Sequence, residues 1–465
     1  MSAVRRNVVA IAVAAMVAGS APAAAPPGPP GPSPDARTAA VTFVSRGETL
    51  QGTVIAPPAD GRRHPAVVLV AGAGVALPLD ESRRLAEPLT AAGIVTLVYE
   101  KHTAGYSATE RSYPLLADDA LGAVDLLGDR ADVDPERIGL WGISEGAWVA
   151  PLAASRSADV GFVVLVSASG VPPAQQTAWT MENQLRHSGL TGAVPGVLPI
   201  NAVRMATALG QFPEARYDTL SAVQRVRQPV LGLWGALDRT VPPAESVSLL
   251  RQALDEGGND RYSLRVLPSA GHTLHRSPDG YVDQYSFTSD FLPPVAEWIN
   301  GLPGPPSGQA DPAPPQDRPS VAVDGGTGIA SPAVQLGALA LFAVLFGGHL
   351  LTGLARRLVG RPRPVVARSA RVLAVTGLLA PAGLVGYLAA LLLTQSPGPV
   401  VAGTAVPFLV VRVLVAVAVA AAVATGVLWW RRRRDVGPGE RVRLGSLLVG
   451  GVLLVPWAAY WGLLI

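Results

Sequence analysis

Short apolar runs alternate along the middle of the chain with longer stretches whose apolar residues recur at helical spacing. Residues 41–44 and 52–55 read as an opening hairpin. Near-continuous apolar strands come next at 64–70, 94–99, 137–141, 161–166, 229–234 and 262–267, separated by helical patterns at 80–92, 114–127, 147–155 and 244–256, with a last helix near 295–300. Strands that are apolar throughout are buried on both faces. The pattern therefore predicts an α/β fold, a mainly parallel sheet with helices on both sides. Between 171 and 228 the alternation lapses into a polar, partly helical stretch. Its position suits a cap or lid, and a long decorated loop without a gating role fits equally.

The pattern changes at both ends. Residues 303–331 are rich in Pro, Gly, Asp and Ser and predict a semi-extended tether. Beyond it, apolar runs at 333–354, 372–393, 406–430 and 444–465 can each cross a bilayer core of about 30 Å. At the other end, Arg5 and Arg6 precede an apolar run at 8–19 and a small-x-small Ala21-Pro22-Ala23, the pattern of a secretory signal. An uncleaved anchor is the alternative, and both place the sheet domain outside the cytoplasm. The expected organisation is a signal at 1–23, a linker at 24–40, a sheet domain at 41–302 with a cap insertion at 171–228, a linker at 303–331, and an all-α transmembrane region of four helices at 332–465.

Charge sharpens this division. Residues 26–330 hold 22 basic and 32 acidic residues, whereas the chain beyond holds 13 arginines against Asp435 and Glu440. The basic excess lies between apolar spans, so it speaks of membrane topology and gives no case for nucleic acid. Arg356, Arg357, Arg361, Arg363, Arg368 and Arg371 separate spans one and two, and Arg431 to Arg434, Arg441 and Arg443 separate spans three and four; residues 394–404 carry no charge. By the positive-inside rule the first and third loops are cytoplasmic, which puts the sheet domain outside. Arg412 lies toward the outer side of span three and reads as snorkelling to the interface; Gln335 and His349 read as interfacial or helix-contact residues. With no cysteine and no His pair at metal-ligand spacing, neither thiolate chemistry nor a metal or other cofactor is expected.

The chemistry centres on Gly142-Ile143-Ser144-Glu145-Gly146, which follows a strand and opens a helix. That is the setting of a nucleophile elbow, where small residues two before and two after the serine permit the tight turn. Asp238 follows the 229–234 strand and His272 follows the 262–267 strand. In this reading Ser144 attacks an acyl carbonyl, His272 moves its proton, and Asp238 fixes the imidazole. The oxyanion would meet the backbone N–H of Glu145 and one from Ala71-Gly72-Ala73-Gly74, with Ala73 the first candidate and Gly74 the second. His102 could face the same mouth, though a surface polar contact is its simpler reading.

The stretch Val133-Asp134-Pro135-Glu136-Arg137-Ile138-Gly139-Leu140-Trp141-Gly142-Ile143-Ser144-Glu145-Gly146 resembles the elbow region of the dienelactone-hydrolase-like and prolyl-oligopeptidase-like branch of the α/β-hydrolases. Gly235-Ala236-Leu237-Asp238 with Val241-Pro242, and Gly271-His272, resemble the acid and histidine segments of that branch. The resemblance spans about 41–302 and implies ester, thioester or peptide-bond hydrolysis by a Ser-His-Asp triad, with no cofactor. Dienelactone hydrolases proper use a cysteine nucleophile, which this chain lacks. The expected substrate is a small-molecule or lipid-like ester met beside membrane lipid. A non-catalytic sensor or binding module coupled to the membrane domain is the alternative from a different class.

Overall fold

The computed structural model describes residues 36–74, 79–107, 109–304, 308–360, 366–394 and 396–464. The expected signal at 1–23 and most of the 24–40 linker lie outside them. Strands Arg37–Ser45 (β1) and Glu48–Ala56 (β2) form the hairpin. Arg46 and Gly47 join them at φ +49° and +86°, the handedness that matches strand twist in a two-residue hairpin turn.

The other main strands are His64–Val70 (β3), Val95–Tyr99 (β4), Val133–Ile143 (β5), Phe162–Val166 (β6), Val230–Gly235 (β7) and Tyr262–Leu267 (β8), with the short Gln309–Ala310 (β9) last. They form one sheet in the order β1-β2-β4-β3-β5-β6-β7-β8-β9. β2 runs antiparallel to both its neighbours, and every pairing from β4 onward is parallel.

Helices Leu79–Ala91 (α1), Tyr113–Gly128 (α2), Gly146–Ala154 (α3), Pro173–His187 (α4), Val194–Ala208 (α5), Thr219–Val223 (α6), Pro243–Glu256 (α7) and Leu292–Asn300 (α8) complete the N-terminal two-thirds. Successive side chains of β3 point to opposite faces. Val68 joins a core with Leu116 of α2, Ala147 of α3 and Leu250 of α7. Val67 and Leu69 join another with Leu89 of α1 and Ile299 of α8. All seven residues of β3 are buried, as expected for a strand covered on both faces.

The Pro-rich segment departs from the extended tether its composition suggests. β9 adds to the sheet edge, and Asp311 accepts from the Arg265 side chain at 3.2 Å and the Val266 N–H at 2.9 Å. Further on, Ser320 N–H donates to Glu245 at 2.7 Å and the Trp179 indole to the Arg318 carbonyl at 3.2 Å. Proline removes backbone donors but leaves carbonyls and neighbouring side chains able to pair. Residues 308–322 are thus strapped down.

The chain divides into two compact units: the sheet unit runs to Thr180 and resumes over Gln211–Ala322, while Met181–Gly210 groups with Val323–Ile465. In the second unit, among the described residues, four helices are long and apolar enough to cross a membrane: Pro332–Leu358, Ala367–Leu391, Val406–Arg431 and Pro438–Tyr460. The first contains a π turn at Ala343–Gly347. Phe346 of that turn is fully buried, packed over Gly377 of the second helix and Gly450 of the fourth. Small residues at such contacts let helices approach closely.

The two ends of this bundle differ. Glu440 pairs with Arg443 at 3.4 Å and Arg356 at 3.7 Å, and Arg443 also reaches His349. At the other end Gln335 accepts from the Trp461 indole at 2.9 Å, and Arg412 donates to the Gly462 carbonyl at 3.0 Å. That partner gives Arg412 a fixed role at the helix end. Residues 181–210 belong to this second end: Thr191 N–H donates to the Gly403 carbonyl at 2.9 Å, and Asn201 donates to the Tyr460 carbonyl at 3.0 Å. Leu185, Leu190, Val194 and Leu198 share the bundle's core.

Candidate active site

Ser144 sits between the last residue of β5 and the first of α3, at φ +54°. Such a conformation is costly for a residue with a Cβ and survives only where surrounding structure enforces it. Here the Ser144 N–H is tied to the Val166 carbonyl of β6 at 3.0 Å, and its own carbonyl accepts from Ala147 at 2.9 Å. A Cβ on Gly142 would strike the Gly146 carbonyl, and one on Gly146 the Val70 carbonyl. The flanking glycines are required by crowding, while the serine itself carries the unusual φ.

Asp238 follows β7 and is fully buried. Its Oδ1 accepts from the N–H groups of Thr240 at 2.7 Å and Val241 at 2.9 Å, leaving Oδ2 to take His272 Nδ1 at 2.8 Å. The His272 loop approaches the end of β7 so closely that a Cβ on Gly235 would meet the carbonyls of Ala270 and Gly271. Ser167, at φ +49°, donates to the His272 carbonyl at 2.6 Å and holds the loop from the end of β6. Ser144, Asp238 and His272 therefore sit after β5, β7 and β8 of one parallel run. Among the described residues Ser144 and His272 make no direct hydrogen bond.

Loop 71–74 lies beside the elbow, with the Cβ position of Gly72 3.4 Å from the Ser144 Cβ. The two named loop donors differ. Gly74 N–H donates to the Tyr106 hydroxyl at 3.1 Å; among the described residues, Ala73 and Glu145 N–H groups donate to nothing.

Behind the loop is a buried charge cluster. Glu145 accepts from Lys101 at 2.8 Å and the Tyr106 hydroxyl at 2.7 Å on Oε1, and pairs with Arg111 at 2.8 Å through Oε2. Burial raises the Glu145 carboxyl, but Lys101 and Arg111 outweigh it and hold it below its ordinary value. That Lys101, Tyr106 and Arg111 meet the Glu145 carboxylate is not legible from sequence, because they converge on it from well upstream in the chain. One signal is present: Lys101 is the single lysine among 37 basic residues. His102 is buried, contrary to its simpler reading as a surface contact, with Nδ1 2.7 Å from Asp119.

The sheet order, with a serine at positive φ on a strand-to-helix turn, defines an α/β-hydrolase domain. Residues 115–297 match the prolyl oligopeptidase family, and fold and family together indicate a serine hydrolase. The chain is similar to a solved dienelactone hydrolase from Anabaena variabilis, at 19% identity over 57% of this chain and 98% of that one with a TM-score of 0.38. It is also similar to dipeptidyl peptidase 4 from Porphyromonas gingivalis, at 14% identity over 57% of this chain and 35% of that one with a TM-score of 0.40. An acylaminoacyl peptidase from Pyrococcus horikoshii aligns at 19% identity over 52% of this chain and 38% of that one with a TM-score of 0.38. No curated protein matches the chain by sequence.

Proposed function

We propose that the chain is an exported, membrane-tethered serine hydrolase that cleaves a carboxylic ester through an acyl-enzyme on Ser144. The observation that carries this reading is a serine at positive φ on the edge where a histidine is bonded through Nδ1 to a buried aspartate. A carboxylate acceptor at Nδ1 requires the proton there, so His272 Nε2 keeps its lone pair and acts as the base. Ser144 Oγ attacks the acyl carbon while its proton passes to Nε2, and the carbonyl electron pair moves onto oxygen. That oxygen meets the Glu145 and Ala73 N–H groups. Collapse expels the alcohol, which takes the proton from Nε2; water then repeats the sequence and releases the acid.

Export is supported by the charge of the loops, since the arginine-rich end of the bundle belongs in the cytoplasm. Residues 181–210, inserted between β6 and β7, share a core with the arginine-poor end. Attachment to a bilayer favours lipid-like or acylated envelope substrates.

Full-length protein in detergent should react with a fluorophosphonate probe and hydrolyse p-nitrophenyl esters, and Ser144→Ala should do neither. Absence of labelling in the wild type sinks the catalytic reading and favours a binding module. Orientation has its own test because the chain has no cysteine. On intact cells, Ser396→Cys should take up a membrane-impermeant maleimide and Asp435→Cys should not; the reverse pattern would place the hydrolase inside.

A further inference from the structure

Lys101 is buried, and its ammonium carries three N–H groups. Three acceptors meet them: Glu145 Oε1 at 2.8 Å, the Tyr106 hydroxyl at 3.2 Å and the carbonyl oxygen of Gly72. The first two could serve a purely structural pair. The third is different, because Gly72 belongs to the loop beside Ser144.

A trans peptide is planar, with its C=O and N–H pointing in opposite directions. The carbonyl of Gly72 and the N–H of Ala73 are the two ends of one such unit. Holding that carbonyl on a buried ammonium aims the Ala73 N–H away from the cluster. The next peptide is pinned as well, since Gly74 N–H donates to Tyr106, which in turn donates to Glu145. Glu145 is itself the residue whose N–H is the other proposed oxyanion donor. One ion-pair network therefore grips the loop on one side and the elbow on the other.

Resting on the hydrolase reading, we propose that Lys101 is a positioning residue that sets the Ala73 N–H toward the oxyanion. The residue type fits this task. A compact ammonium can address three acceptors arranged around a point, whereas a planar guanidinium cannot. In a chain that otherwise uses only arginine for positive charge, the single lysine stands where that geometry is needed.

Arg111 supplies the control. It balances Glu145 from the other oxygen at 2.8 Å, and it makes no hydrogen bond to Gly72 among the described residues. The experiment compares wild type, Lys101→Met and Arg111→Met as full-length proteins. It measures kcat and KM on a p-nitrophenyl ester, the affinity of an aryl boronic acid that forms a tetrahedral adduct on serine, and Tm.

Lys101→Met should lower kcat by about 100-fold with KM nearly unchanged, on the scale of losing one oxyanion donor. Boronate affinity should fall in parallel, because the adduct mimics the charged intermediate. Arg111→Met should lower Tm yet keep kcat within about threefold, an outcome expected when ground- and transition-state contacts are preserved. If Lys101→Met does not fold, Lys101→Arg keeps the charge beside Glu145 and should show the same kcat loss.

Unchanged kcat in the Lys101 variant, a kcat loss without weaker boronate binding, or equal losses in the two variants tracking Tm would each overturn the proposal. Wild type that fails to label with fluorophosphonate removes the hydrolase reading, and this inference with it. Labelled wild type beside an unaffected Lys101 variant removes this inference alone.

Discussion

Of the histidine–aspartate pairs among the described residues of the hydrolase domain, two join Nδ1 to a fully buried aspartate. His272 Nδ1 lies 2.8 Å from Asp238, and His102 Nδ1 lies 2.7 Å from Asp119; both aspartates are fully buried. What separates them is the other ring nitrogen. His102 Nε2 faces the Glu48 carboxylate at 3.4 Å, and that carboxylate also accepts from the Thr103 N–H and hydroxyl. The ring is a clamp between the opening hairpin and α2. No second carboxylate pairs with His272 among the described residues, and its side chain is 20% exposed against 5% for His102. A buried partner orients an imidazole. Chemistry additionally requires that its second nitrogen be free to take a proton.

The strongest way to test this contrast is to remove the proposed nucleophile beside one pair only. Ser144→Ala should reduce ester turnover by about a millionfold, the scale seen when a triad serine is lost, with Tm unchanged and no probe labelling. Next, Asp238→Asn should cost about 10⁴-fold in kcat by allowing the wrong imidazole tautomer. In the other pair, Asp119→Ala should leave kcat within about tenfold but remove about 3 kcal/mol of stability, as expected when one partner of a buried pair is deleted. Denaturant unfolding and steady-state rates measured on the same samples check both. If Asp119→Ala loses activity as severely as Asp238→Asn with stability intact, the pairs are not functionally distinct.

The smallest effect concerns Glu48. The Thr103 N–H, together with the Thr103 hydroxyl, holds the Glu48 carboxyl below its ordinary 4.5. The folded chain therefore binds fewer protons there than the unfolded chain, so this contribution is present above about pH 4.5 and is lost as pH falls through the folded value. Glu48→Gln should flatten the dependence of Tm on pH in that acidic window while leaving turnover unchanged. Glu145, whose carboxyl is also held low, acts with the same sign. An undiminished slope in Glu48→Gln would assign the acid sensitivity to Glu145 and other carboxylates.

Much of the fold is readable in the sequence because it depends on local pattern. Each apolar run from 64 to 267 forms a strand of one sheet, with boundaries displaced by a few residues. β5 shows the largest shift, starting at Val133 because its polar first half still lies in the strand. The elbow, Asp238 and His272 are readable because their types and strand-end positions are local too.

What local pattern does not supply is pairing across distance. Nothing near Glu145 announces that Lys101 and Arg111 will bury beside it, and nothing near His102 points to Asp119 and Glu48. Residues 308–322 mislead for a related reason: composition predicts an extended chain but not whether the sheet has an edge to receive it. The 171–228 stretch stands out as a lapse in the alternation. That its central part shares a core with the apolar helices depends on Leu185, Leu190, Val194 and Leu198, which carry no mark of their partner.

That shared core bears on how the protein can be divided. A bead joined to an anchor by one thread is freed by one cut, but here the chain leaves the sheet unit at Thr180, returns at Gln211 and departs again after Ala322. A protein ended at 322 would lack the helices that bury those four side chains and would bare them to water. The sheet unit and the apolar helices are therefore inseparable by simple truncation, and a single proteolytic clip after the strap would yield a domain with a sticky, unsatisfied insertion.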